Sequence, residues 1–120
     1  MSILEAVIDE DINALKEALP SGYIDEQDAE SGFTGLHYCA QYGNVEMAKI
    51  LIDNGASVKI KDNYGNTALF KAVYFSQGRI EIIKMLLEEG ANPDEENDFG
   101  MTPKKLAENI AAFDVTEVFM

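Results

Sequence analysis

The stretch Gly32-Phe33-Thr34-Gly35-Leu36-His37 returns as Gly65-Asn66-Thr67-Ala68-Leu69-Phe70, 33 positions on, and as Gly100-Met101-Thr102-Pro103-Lys104-Lys105, 35 positions further. A word repeated at this interval marks a chain of stacked units rather than a single irregular core. A second word keeps step with the first. Leu51-Ile52-Asp53-Asn54-Gly55-Ala56 recurs as Leu86-Leu87-Glu88-Glu89-Gly90-Ala91, and a degraded copy precedes both at Ala18-Leu19-Pro20-Ser21-Gly22-Tyr23. Thr34, Thr67 and Thr102 each precede a short apolar-rich stretch, where a hydroxyl can accept from the orphan amides of a helix start. Pro103 suits the first helical position, which needs no donor. These first helices are brief, with stop signals near Gly43 and Gly78. Second helices follow, with Val45, Ala48, Leu51 and Ile52 at helical spacing in one unit and Ile80, Ile83, Leu86 and Leu87 in the next. Gly55 and Gly90 close them. The polar stretches 57–66 and 92–101 read as turns or short hairpin fingers. A helix pair of this size cannot bury both faces alone, so neighbouring units must stack and share one core.

With these words in place, the chain resembles the ankyrin repeat family. The family pattern is Gly-x-Thr-Pro-Leu-His-x-Ala-Ala-x-x-Gly, then two hydrophobic helical turns, Leu-Leu and Gly-Ala. Residues 32–58 follow it with Gly35 for the usual Pro and Cys39 for a usual Ala; residues 65–91 follow it with Ala68 and Phe70 for Pro and His, plus two extra residues within 74–77. Residues 100–120 match in Gly100, Thr102, Pro103 and Ala107, and residues 1–24 look like an amino-terminal cap with Ala6, Ile12, Leu15 and Leu19 at repeat-like positions. The resemblance implies an all-α ankyrin-repeat solenoid of stacked helix-turn-helix units with finger loops. Its single domain would divide into a cap repeat at 1–29, repeats at 30–62 and 63–97, and a partial carboxyl-terminal cap at 98–120. It also implies a non-enzymatic module that binds another protein.

Composition agrees with one compact domain. The 120 residues are 47% hydrophobic, with one Cys and no Trp, and a chain of this length buries roughly two-thirds of its unfolded surface. A lone Cys39 permits no internal disulfide. The amino terminus lacks the basic region and apolar stretch of a secretory signal, and no apolar run approaches the ~20 residues of a membrane span. A reducing, cytoplasmic setting is the expectation. The net charge is −13, from 22 acidic against nine basic residues. Residues 1–30 and 91–120 carry the excess, while the middle of the chain is neutral. Nucleic-acid backbones and anionic membranes require clustered Lys and Arg, so neither is an expected partner.

Candidates for chemistry are few. His37 and Cys39 are the only histidine and the only thiol, and their two-residue spacing on a helix turns them to different faces. The resemblance makes His37 a structural residue whose ring bonds neighbouring loop backbone, and Cys39 a tightly packed Ala-type position. Asp94-Glu95-Glu96-Asn97-Asp98-Phe99-Gly100 has the carboxylate alternation of a calcium loop. Its Gly falls one place late, however, and Lys105 occupies the twelfth position, where a bidentate Glu is needed. No phosphate-cradling glycine loop is present. The chain is read as having no catalytic residues, cofactor or metal.

Positions that the family pattern leaves free carry more information. In the family they flank the finger Gly and follow the Ala-Ala pair of the first helix, lining a concave face. Carried onto this chain, the partner-binding candidates are Glu30, Phe33, Tyr42, Asn63, Tyr64, Asn66, Tyr74, Phe75, Asp98, Phe99 and Met101. Six of the chain's eleven aromatics fall there. Rigid rings supply contact area at low entropic cost, which suits recognition; Tyr38 and Phe70 read as packing residues. Acids near the fingers, Asp28, Glu30, Asp62, Glu95, Glu96 and Asp98, would steer a partner with a basic surface. The alternative to an adaptor is a stand-alone inhibitor, an immunity-type protein neutralising a basic toxin or nuclease. Asp114 can open a last helix, and Val115, Val118 and Phe119 before Met120 either fold back on residues 80–89 or leave an apolar edge for a partner or a second copy.

Overall fold

The computed structural model describes residues 1–110 and 114–119. Four helices with polar starts form one stack: α1 (Ile3–Ile8), α3 (Gly35–Tyr42), α5 (Ala68–Tyr74) and α7 (Pro103–Asn109). Three are followed by antiparallel partners, α2 (Ile12–Ala18), α4 (Val45–Asp53) and α6 (Glu81–Glu88). A 3-10 turn, Thr116–Phe119, follows α7. Among the described residues there are no strands, so the fingers are turns rather than β-hairpins. The first helices pack in the order α1, α3, α5, α7, and α1, α3 and α5 each contact their own partner. Stacked helices spaced roughly 8–10 Å apart account for a longest extent of 39 Å against 25 and 23 Å across.

The repeated Thr acts as expected. The hydroxyls of Thr34, Thr67 and Thr102 accept from the third helical amide of α3, α5 and α7. Ser2 does the same for α1, and the Glu5 carboxylate returns the bond to the Ser2 N–H, which closes a capping box. Between α3 and α4 the turn is made at Gly43, whose φ of 70° is in the left-handed region. The corresponding α5–α6 connection is longer and differs from the expectation. Helix α5 ends at Tyr74, four residues short of Gly78, because Ser76 and Arg79 donate turn bonds to the Val73 and Ser76 carbonyls. Gln77 and Gly78 then turn the chain with φ of 50° and 85°.

One continuous core runs through the stack. Leu15, Leu36, Met47, Leu51, Leu69, Ile83 and Leu86 are fully buried, and each unit lends apolar faces to both neighbours. Val45 was expected inside, yet as the first residue of α4 it is 37% exposed, and Met47 takes the buried place. At the carboxyl end Val115 is buried and Val118 and Phe119 are partly covered. The 3-10 turn rests on α7, and Asp114 accepts from the Thr116 amide and hydroxyl. The expected last helix is therefore a single short turn; Met120 lies outside the described residues.

Candidate functional site

Three fingers connect the units, and their geometry is built from equivalent residues. Asp28, Asp62 and Asn97 open the fingers, and the Oδ1 of each accepts two backbone N–H bonds from its own turn. Neighbouring fingers are then laced together. Asn63 N–H donates to the Ser31 carbonyl and Asp98 N–H to the Tyr64 carbonyl, each at 3.0 Å. Asn63 Nδ2 donates to the Glu30 carbonyl at 2.8 Å and Asn97 Nδ2 to Asn66 Oδ1 at 2.9 Å. The approach is so close that a Cβ at Gly32 would stand 2.6 Å from Asn63 Oδ1, and one at Gly65 would stand 2.5 Å from Asp98 Oδ1. Both glycines also hold positive φ, 76° and 79°, so the repeated Gly is demanded twice, by conformation and by space.

His37 fastens a finger to a helix. Its Nδ1 accepts from the Thr34 N–H at 3.1 Å and its Nε2 donates to the Asn66 carbonyl at 2.8 Å. Both partners have fixed roles, so the ring is the neutral Nε2–H tautomer. Burial holds its pKa below the ordinary 6.5. Cys39 is buried and burial pushes its thiol up to about 12, which makes it inert at neutral pH. Among the described residues no three His, Cys, Asp or Glu side chains converge to hold a metal, and no helix is long and apolar enough to cross a membrane.

The structure gathers part of the candidate set into a row of rings along α3 and α5. Tyr38 and Tyr42 share a face of α3 through i,i+4 spacing, and Lys71 of α5 has the same spacing to Phe75, the C-cap of that helix. From Tyr42 the row runs to Tyr38 at 5.9 Å between centroids, then to Phe33 at 5.2 Å, edge-on. Lys71 Nζ follows, 4.0 Å from the Phe33 centroid and 5.3 Å from that of Phe75, and Tyr74 meets Phe75 at 4.9 Å. Phe33 also stacks on His37, with 13° between the planes. The hydroxyl of Tyr38 donates to Asp28 Oδ2 at 2.9 Å. The Asp28 carboxyl is held below the usual carboxylate range by the Glu30 N–H first and by this Tyr38 bond second. Tyr38 thus joins the row, although the repeat pattern marks it only as packing. A ring four residues past the helix-opening Thr was the available signal.

The remaining candidates lie elsewhere. Tyr64 and Phe99 occupy successive finger tips, 59% and 79% exposed, outside the row of rings. Glu30 and Asp98 are exposed in the fingers, and Met101 is half-buried beside the cap of α7. The amides of Asn63 and Asn66 are engaged in the lacing, so they support the face as much as they line it. Asp62 departs from its expected place among the steering charges. It is only 7% exposed, because Oδ1 is turned inward to hold the amides of Tyr64 and Asn66.

Comparison with known proteins places this architecture. The family described as Ankyrin repeats (3 copies) matches residues 3–97. The chain is 36% identical over 52 residues to an ankyrin repeat-containing protein of Schizosaccharomyces pombe, covering 43% of this chain and 25% of that protein. It is 41% identical over 63 residues to Protein phosphatase 1 regulatory subunit 12A of Mus musculus, covering 52% of this chain and 6% of the subunit. The Rattus norvegicus subunit aligns to the same extent. The chain thus corresponds to a quarter or less of the length of these relatives. With its Thr-capped helix pairs, its laced glycine fingers and a family match across residues 3–97, the chain belongs to the ankyrin repeat family, whose repeats are protein–protein interaction modules.

Proposed function

We propose that the chain binds a partner protein through the concave face formed by its fingers and first helices, and that the partner presents a basic surface there. One observation carries the reading: Tyr74, Tyr64 and Phe99 are 62, 59 and 79% exposed, at positions where the repeat pattern needs no ring. Large apolar rings left in water cost solvation that a partner recovers, and they anchor interfaces out of proportion to their number. The partner-facing set is Phe33, Tyr42, Tyr64, Tyr74, Phe75 and Phe99, framed by Glu30, Asp98 and Met101, with Asn63 and Asn66 holding the fingers in register. Glu30, Glu96 and Asp98 are exposed, and the net charge is −13, which supports fast association with a basic partner. The same charge favours a second reading, an inhibitor that neutralises a basic toxin or nuclease.

The test is affinity capture from the native source, followed by titration of the captured protein against variants. Tyr64→Ala and Tyr74→Ala should each weaken binding by about 1–2 kcal/mol or more while melting stays nearly unchanged. Leu51→Ala, which opens a core cavity, should lower stability by ~2–5 kcal/mol. Melting that falls with affinity intact in the two Tyr variants would make those rings packing residues. Loss of the captured partner's own activity on binding would separate the inhibitor from the adaptor.

A further inference from the structure

The centre of the ring row holds an unusual pair of groups. Lys71 Nζ lies over Phe33 and near Phe75, and among the described residues it makes no ion pair. In the adjoining finger, Asp62 Oδ2 is buried without a hydrogen-bond partner among the described residues, and its charge acts on both Lys71 and His37. A buried carboxylate oxygen left unpaired is costly. The repeat shows what could satisfy it. Four residues past the helix-opening Thr of the preceding unit stands Tyr38, and its hydroxyl bonds Asp28 Oδ2 at 2.9 Å. Asp28 and Asp62 each open their finger, accepting its first amide through Oδ1 and donating their own N–H to the Phe33 and Asn66 carbonyls, although the first finger is one residue longer, and Lys71 stands four past Thr67, as Tyr38 stands four past Thr34. The repeat therefore offers Lys71 a second place, on Asp62 Oδ2, that it does not occupy here.

We propose that Lys71 is a resident cation holding the Phe33 and Phe75 site, and that an arginine or lysine side chain of the partner takes that site while Lys71 swings onto Asp62 Oδ2. The exchange rests on the docking face proposed above and names its central contact. It replaces one cation–π contact by another and supplies the unpaired oxygen with a charge-assisted bond. Burial already holds the Lys71 ammonium below its ordinary pKa, and the Asp62 charge opposes that shift, so once the rings are taken Asp62 is the anion left to receive it. Charge complementarity selects the occupant: the face is framed by exposed carboxylates on a chain of net charge −13. An acidic side chain pairing directly with Lys71 is the opposite outcome.

The experiment follows the Lys71 ε-methylene protons by NMR; bonded next to an Nζ that stands 4.0 Å from the Phe33 centroid, they should carry an upfield ring-current shift. Capped pentapeptides of glycine with two arginines, two lysines or two glutamates serve as probes. The arginine peptide should abolish the upfield shift, and Asp62→Asn should weaken its binding by about three- to tenfold. Asp62→Asn keeps the finger, because Asn97 holds the next finger through Oδ1 in the same way, so melting should be unaltered. Phe33→Leu should weaken binding to a similar degree. A shift that persists at saturation, an Asp62→Asn variant that binds as wild type, or a glutamate peptide that moves the Lys71 protons would each overturn the exchange. With the captured protein, loss of affinity in Tyr74→Ala but not in Asp62→Asn would leave the docking face standing without the exchange. Loss in neither would remove both.

Discussion

Gly65 and Gly100 hold nearly the same backbone angle, φ 79° and 75°, and differ in what stands beside them. A Cβ on Gly65 would meet the Asp98 carboxylate at 2.5 Å and its backbone N at 2.8 Å, whereas a Cβ on Gly100 would meet, beyond its chain neighbours, no heavy atom of the described residues within 4 Å. Alanine at Gly100 therefore costs the left-handed conformation alone, about 1–2 kcal/mol. Alanine at Gly65 costs the same strain plus separation of two fingers, roughly 1–3 kcal/mol more. Urea denaturation of the two variants measures the difference, and equal midpoints would show that the lacing contributes nothing. The repeated Gly was legible from the sequence, since it recurs in phase with Thr. The neighbours that make Gly65 stricter than Gly100 were not, because they come from the next unit and depend on how the fingers register in space. Asp62 shows the same limit: its position beside the finger was readable, but its inward turn was set by the Tyr64 and Asn66 amides.

At the scale of the element, α3 depends on the protonation of His37. The ring is fixed as a neutral acceptor at Nδ1 and donor at Nε2, so adding a proton removes the acceptor that the Thr34 N–H and hydroxyl share. Burial lowers the folded-state pKa below the ordinary 6.5. The stabilisation is thus complete above that value and is lost as pH falls through the folded-state value. Between about pH 7.5 and about pH 5 carboxylates scarcely titrate. Over that range wild type should lose a few degrees of melting temperature, and His37→Gln should show a flatter profile from a lower start. Parallel profiles would contradict the assignment. The start of α3 was legible in Thr34, whereas the end of α5 was not. Gly78 looked like its stop, but Phe75 and Ser76 turn the chain first, and Gln77 takes φ of 50°, a conformation that sequence gives little reason to expect outside Gly, Asn or Asp. The extra residues within 74–77 were visible; their path was decided by Val73 and Ser76 carbonyls accepting turn bonds.

At the scale of the whole molecule, the architecture followed from two words in phase, because stacked units need the same residues at the same places. Which side of the stack meets a partner is a different question. Buried positions repeat and can be recognised by repetition, whereas a binding face is made of the positions that do not repeat. The aromatic excess points to the face proposed for binding; the order Tyr42, Tyr38, Phe33, Lys71, Phe75 and Tyr74 depends on how neighbouring units stack and is not legible in the sequence. The opposite side of the stack, formed by α2, α4 and α6, offers ordinary charged surface such as Glu81, Lys84 and Glu88. The most direct test is the NMR footprint of the captured partner on the isotope-labelled chain. Signals of Phe33, Tyr42, Tyr64, Tyr74, Phe75 and Phe99 should move together while those of Glu81, Lys84 and Glu88 stay in place. A footprint centred on α4 and α6, with the rings unmoved, would contradict the account.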